Sequence, residues 1–271
     1  MIAEGNIRKM RSALEKQVHY SLPLYDVLEP SMNVDINTLI GNEIKISFLN
    51  QINCVITGKS IKKTFWDGMS YDAYRNSPLA VESIIRPELS KIHLGIALRD
   101  KEWEMKHHNQ PHVTYLSLTS GVKVGVTRDT QIPTRWIDQG AVQAIVLANT
   151  PYRQAAGLIE VALKGFVADK TNWRTMLKND YDKSISLVDF KNKLAEHIPE
   201  KLKKFVATGN EVLNINYPVL KYPEKVKSMK LDKFPIIQKK LVGVKGQYLI
   251  FDDDHVMNLR SHTAYKIRIE A

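Results

Sequence analysis

The sequence predicts an α+β protein, and two observations predict it. Apolar and polar residues alternate in short runs near both ends of the chain: VHYSLPL (18–24) and NEIKISF (42–48), then KKLVGVKG, QYLIFD, VMNLR and AYKIRIE between 239 and 270. Helical spacing of apolar residues is confined to the middle, in the stretch after Thr150 and in 187–207. The order is therefore β-rich, mixed, helical, β-rich, which is that of an α+β chain.

The elements follow from local chemistry. Asn50-Gln51 separates NEIKISF from a further strand, INCVIT, and residues 58–110, punctuated by Gly, Pro and polar side chains, read as an irregular subdomain. HVTYLSLTSGVKVGVT (112–127) is a hairpin whose Ser120-Gly121 turn supplies the positive φ of a tight connection. Thr134–Ile137 reads as a short helix and AVQAIVLA (141–148) as a buried strand. Thr150 is placed to cap the next helix, with Pro151 at its first position, where a missing N–H costs nothing. Ala156, Ile159, Leu163 and Phe166 form that helix's apolar stripe, with Glu160 at its edge. Helices over 187–196 and 199–207 follow, then strands from NEVLNINYPV (210–219) onward. The expected organisation is a β-rich segment over 1–105, a mixed α/β module over 106–180, a helical bridge over 181–210 and a β-rich segment over 211–271.

Composition limits the function classes. With 44% hydrophobic and 25% charged residues and no low-complexity block, the 271-residue chain is that of a folded protein with a sizeable core. The opening MIAEGNIRKMRSALEKQ has no apolar signal core, and apolar runs such as AIVLA fall far short of the roughly 20 residues that span a bilayer, so a cytoplasmic location is expected. A single cysteine, Cys54, excludes an internal disulfide. The net charge is +10, and Lys221 to Lys245 carries eight lysines against Glu224 and Asp232, a surface that attracts polyanions through counterion release. A solvated lysine-rich face is the duller reading of the same charge.

Two apparent motifs lead nowhere. Gly58-Lys59-Ser60 resembles the end of a phosphate-binding loop, but the first glycine such a loop requires falls at Asn53. His93, His107, His108 and His112 lie near one another in sequence, yet Pro111 interrupts their spacing, and a polar loop is expected in place of a metal site.

Long strings in this chain, KVGVTRDTQIPTRWIDQGA (123–141), DKTNWRTML (169–177) and VGVKGQYLIFD (242–252), are similar to a bacterial domain-of-unknown-function family, number 2797. The resemblance implies a C-x2-C-x12-C-x2-C zinc segment. Here its four positions are Cys54, Thr57, Ser70 and Ala73, and further cysteines of the family align with Ser83, Ser90 and Ala97. No zinc is therefore expected, and Phe65, Trp66, Tyr71 and Tyr74 are expected to hold that segment by packing.

The module over 106–180 resembles, in degenerate form, the GIY-YIG nucleases. The resemblance assigns Tyr115 to the first motif's tyrosine, Lys123 to the second motif's tyrosine position, Arg135 to the phosphate-gripping arginine and Glu160 to the metal-binding glutamate. Either Tyr115 or Lys123 would orient or deprotonate water, and Mg2+ or Mn2+ would be the cofactor. Arg128, Asn172, Trp173 and Arg174 are candidate contacts to DNA or RNA, the tryptophan by stacking on a base. Each has a plainer role: strand residues alternating with core for Tyr115 and Lys123, an i, i+3 surface pair for Arg135 and Asp138, a solvated charge for Glu160, and core packing for Trp173. The implied function is nucleic-acid binding with metal-dependent phosphodiester cleavage; the alternative is a catalytically inactive binding or scaffold module.

Overall fold

The structure, a computed structural model, describes residues 1–167 and 172–271. The chain opens with β1 (Ile2–Ile7), β2 (Arg11–Leu14), β3 (Val18–Asp26), β4 (Glu29–Asp35) and β5 (Glu43–Ile52). Short helices α1 (Tyr71–Asn76) and α2 (Lys101–His108) flank a run of single 3-10 turns. Then come β6 (His112–Leu118), β7 (Val122–Arg128), α3 (Thr134–Asp138), β8 (Gln143–Thr150), α4 (Arg153–Leu163), α5 (Trp173–Leu177), α6 (Leu187–Glu196), α7 (Glu200–Lys203) and β9 (Leu213–Asn214). The chain closes with β10 (Lys227–Met229), β11 (Ile236–Lys245), β12 (Tyr248–Phe251), β13 (His255–Asn258) and β14 (Tyr265–Glu270). The fold is α+β.

These elements divide into two compact units. The first comprises residues 1–75, 137–140 and 216–271; the second comprises 76–136 and 141–215. In the first unit the strands from both ends of the chain join one sheet, ordered β10-β13-β12-β11-β5-β14-β1-β3-β2, with β4 paired to β3. Ile7, Leu22, Leu24, Ile46, Leu241, Phe251 and Ile267 are among the residues that fill its core. The second unit has a four-stranded antiparallel sheet, β7-β6-β8-β9, with β6 in an interior position. One of its faces carries Leu116, Leu118, Ile145 and Leu147, which pack with Ala155, Ile159 and Leu163 of α4 and Leu187 and Leu194 of α6.

Several expectations are corrected. Asn50-Gln51 does not end a strand: β5 runs through it, with Asn50 at φ 55°, a left-handed conformation that asparagine tolerates. β1 carries no alternation to read, because Gly5 and Asn6 interrupt it; the Asn6 amide is buried and donates to Asn53 Oδ1 (3.1 Å) and the Ala264 carbonyl (2.8 Å). Thr150 does not cap α4. It remains in β8, its hydroxyl donating to the His112 carbonyl, and Tyr152 occupies the cap position. The helix ends at Leu163, so Phe166 leaves the stripe and lies exposed, stacked on His197 at 4.0 Å. Of 199–207 only Glu200–Lys203 is α-helical, and of 210–219 only Leu213–Asn214 is strand.

His107 and His108 are on a helix, not in a polar loop. Pro111 follows the end of α2 and so does not break it. Asp100 caps that helix by accepting from Trp103 N at 2.8 Å, and the buried Glu104 carboxylate accepts the backbone N–H groups of Leu98, Arg99 and Asp100.

Candidate functional site

The β6–β7 register fixes which side chains share a face. Tyr115 stands opposite Gly125 and Ser117 opposite Lys123, while Leu116 and Leu118 pair with Val124 and Val122 on the other, apolar face. Tyr115 is fully buried, its ring 5.8 Å from that of Trp136. Gly125 is required there, since a Cβ at that position would stand 2.6 Å from the Tyr115 hydroxyl. The tyrosine is thus a core ring of the second unit.

Lys123, Arg135 and Glu160 do come together. Burial pushes the Lys123 amine down to about 8, the nearby Arg135 guanidinium pushes it the same way, and Glu160 partly offsets them. Burial raises the Glu160 carboxyl above its ordinary range against the pull of Lys164, Arg153 and Arg135. Lys164 Nζ stands 3.9 Å from Glu160 Oε2, one helical turn on.

Two members of the cluster were not anticipated. Arg153 sits about two turns before Glu160 on the same face of α4; it donates from Nε to the Ser83 carbonyl (2.7 Å) and from Nη2 to the Ile84 carbonyl (2.8 Å). Burial lowers its pKa to about 10, and Glu160, Arg135, Arg128 and Glu88 all act on it. Glu88 is the second. Its charge helps raise Glu160, Oε1 accepts from Arg86 Nε at 3.2 Å, and Oε2 is buried with no hydrogen-bond partner. Glu88 could not be read from sequence spacing, because its proximity depends on the segment around Pro87 lying directly on α4 at Gly157, whereas Arg153 carries a spacing signal, two helical turns before Glu160.

The remaining candidates are placed differently. Arg128, at the end of β7, is within electrostatic reach of Arg153 and of His107, His108 and His112. Asn172 is used as the cap of α5, accepting from Arg174 N and Thr175 N, and its own N–H donates to Ser120 Oγ at 2.9 Å. Trp173 is half-buried, with the Arg174 guanidinium 4.3 Å over its ring. Asp169 to Thr171 of the DKTNWRTML string lie outside the described residues.

The cysteine-aligned positions also have a geometry. Cys54 is buried; burial alone would raise its thiol, but hydrogen bonds from the Thr57 side chain and from the backbone of Ser70, Thr57 and Ile56 bring it down to about 7. Ser70 N donates to Cys54 Sγ at 3.2 Å and Ser70 Oγ accepts from Ala73 N at 3.2 Å. Of the four aromatics expected to hold this segment, Phe65, Tyr71 and Tyr74 instead form an exposed surface group, with Phe65 5.1 Å from Tyr71, while Trp66 is half-buried. In the second unit, buried Ser83 and Ser90 turn their hydroxyls to His108 Nδ1, at 3.4 and 3.5 Å. Among the described residues no group of three or more His, Cys, Asp or Glu side chains is arranged to hold a metal.

The family model described as "Protein of unknown function (DUF2797)" matches residues 41–267. The chain belongs to this family. The DUF2797 match includes Lys123, Arg135, Arg153, Glu160 and Glu88, and starts after β4. No curated protein and no solved structure matches the chain. No helix among the described residues is long and apolar enough to cross a membrane.

Proposed function

We propose that the second unit binds the phosphate backbone of DNA or RNA and cleaves it with a divalent cation, Mg2+ or Mn2+. The observation that carries this reading is the partly buried group of Lys123, Arg135, Arg153 and Glu160, set on a hairpin, a short helix and the next helix in the order of the GIY-YIG layout. Arg135 is suited to grip two phosphate oxygens, and Arg153, anchored through two carbonyls, adds a fixed positive charge within electrostatic reach of it. Lys123, near half-neutral at mildly alkaline pH, is the candidate to take a proton from attacking water.

Glu160 would hold the cation, and the donor set fits one: Glu88 offers a second carboxylate with a buried, unpartnered oxygen, and magnesium sites commonly use one or two carboxylates with substrate phosphate and water. When bound, the cation would supply Lewis-acid stabilisation of charge on phosphate oxygen. A second reading, a catalytically inactive binding module, is favoured by the full burial of Tyr115, which removes one of the two hydroxyl or amine groups from reach of solvent.

Cleavage of nucleic acid with Mg2+ or Mn2+ separates the readings. The wild type should cut, with activity rising as pH increases through about 8, the pKa of Lys123. Glu160→Gln and Arg135→Ala should abolish cutting while binding persists and weakens steeply with salt. Binding without cleavage over a broad substrate panel establishes the inactive module, and absence of binding at low salt removes both.

A further inference from the structure

A cleft of about 280 Å³ opens within the first unit, lined by Arg8, Lys9, Arg11, Arg260, Tyr25 and Asp67, with Pro23 and Val55 as apolar wall. Arg8 donates to the carbonyls of Ile7 (3.2 Å) and Val27 (2.6 Å), which hold its guanidinium without neutralising it, and its centre lies 4.6 Å over the Tyr25 ring. Arg260 is fixed by a two-pronged bond to Asp67, Nε to Oδ1 at 3.0 Å and Nη2 to Oδ2 at 2.7 Å. Lys9 is paired with Asp138. Among the described residues Arg11, exposed on β2, has no ion-pair partner.

Four cations thus meet two carboxylates, leaving an excess of two positive charges, which is the charge a phosphomonoester dianion neutralises. Arginine is the side chain whose planar fork matches phosphate oxygens, and two of the arginines are already locked by other bonds, so little side-chain freedom is lost on binding. The flat Arg8–Tyr25 stack beside Pro23 and Val55 suits a planar ring. The volume lies just below that of most small-molecule sites, about 300–1,000 Å³, and so suits a small ligand.

We propose that this cleft binds a nucleoside 5′-monophosphate, the phosphate against the uncompensated Arg11, with the Nη1 that Asp67 leaves to Arg260, and the base against the Arg8–Tyr25 stack, whose second uncompensated charge adds to the field on the phosphate. The site is independent of the Glu160 cluster. Calorimetric titration with adenosine 5′-monophosphate, ribose 5-phosphate, inorganic phosphate and adenosine tests it.

The nucleotide should bind at least fivefold more tightly than ribose 5-phosphate or phosphate, and adenosine should not bind measurably. Arg11→Gln, on an exposed edge strand, should weaken nucleotide binding about tenfold without affecting folding; Arg8→Gln should do so as well where it folds, and Glu160→Gln should leave it unchanged. No binding of the nucleotide by wild type, equal affinity for phosphate or ribose 5-phosphate, or an unchanged affinity in Arg11→Gln would each overturn the proposal. A loss in Glu160→Gln would overturn its independence from the other site.

Discussion

Gly157 and Glu88 touch backbone to side-chain position: a Cβ built on Gly157 would stand 2.3 Å from Glu88 N and 2.5 Å from the Pro87 carbonyl carbon. Only the absence of that carbon lets the Pro87–Leu89 turn lie on α4 and bring Glu88 within electrostatic reach of Glu160. Gly157→Ala should therefore separate the two carboxylates and cost about 1–3 kcal/mol, the usual range for overpacking. Thermal unfolding measures the loss, and a downward shift of the Glu160 pKa in carboxyl NMR reports the separation.

The buried histidines predict an acid-sensitive second unit. Burial, with Arg153 and Arg128 nearby, holds His108 at about 3; burial and the same arginines hold His112 at about 4, although the Gln110 carbonyl and Asp129 favour its charged form. Their unfolded counterparts titrate near 6.5, so above that pH neither contributes a slope. As pH falls below 6.5 the unfolded chain takes up protons that the folded chain refuses, and stability drops by about 1.4 kcal/mol per pH unit per histidine until the folded values are reached. Denaturant titrations at pH 7, 6 and 5 should show this decline, and His108→Asn should reduce its slope. A flat profile would contradict it.

Lys245 predicts the opposite edge of the pH scale in the first unit. It is fully buried, 5.2 Å from the Tyr217 ring and 5.5 Å from the Tyr222 ring, and burial lowers its pKa to about 7. Since the unfolded lysine stays protonated to about 10.5, stability from this residue should rise between pH 7 and 10.5. Lys245→Met keeps the volume and removes the charge; it should flatten that rise and stabilise the protein by about 1–4 kcal/mol at neutral pH. Urea unfolding of both proteins at pH 7 and 9.5 checks both parts.

Glu104 is an anchor for the loop before α2. Its carboxylate accepts from Leu98 N, Arg99 N and Asp100 N, so Glu104→Ala leaves three backbone donors without their acceptor. A loss of about 3 kcal/mol is expected, and a smaller one for Glu104→Gln, which retains one acceptor oxygen. Hydrogen exchange should show the amides of residues 98–100 losing protection first in both variants.

The hairpin of β6 and β7 was legible because two runs rich in strand-forming residues flank Ser120-Gly121, which marks the turn; β7 alternates, while Tyr115-Leu116 breaks the alternation of β6. The order of Tyr115, Lys123, Arg135 and Glu160 along one βα unit was legible for the same reason. Glu88 was not: its membership depends on a segment without regular secondary structure being held on α4 by Arg153's bonds to Ser83 and Ile84 and by the gap at Gly157. Arg153 itself shares a helix face with Glu160 at a seven-residue spacing. Alternation likewise shows that Tyr115 faces away from Leu116, but not that its face is covered. The lysine-rich stretch illustrates the limit of charge counting, since Lys245 is buried and Lys239 is bound to Asp253 at 2.5 Å. β1 stayed hidden because its buried Asn6 is satisfied by residues 47 and 258 positions away.

The placement of β14 between β1 and β5 sets an order of events during synthesis. Both flanking strands precede residue 53, yet the strand that joins them is completed only at Glu270. Throughout the translation of residues 76–215 those two edges wait without their partner, while the second unit already has every residue it needs once Ile215 has emerged. The second unit can thus mature first, and the first unit's sheet closes only after β14 has been made, so chains stalled before β14 should expose unpaired strand edges to chaperones and to aggregation.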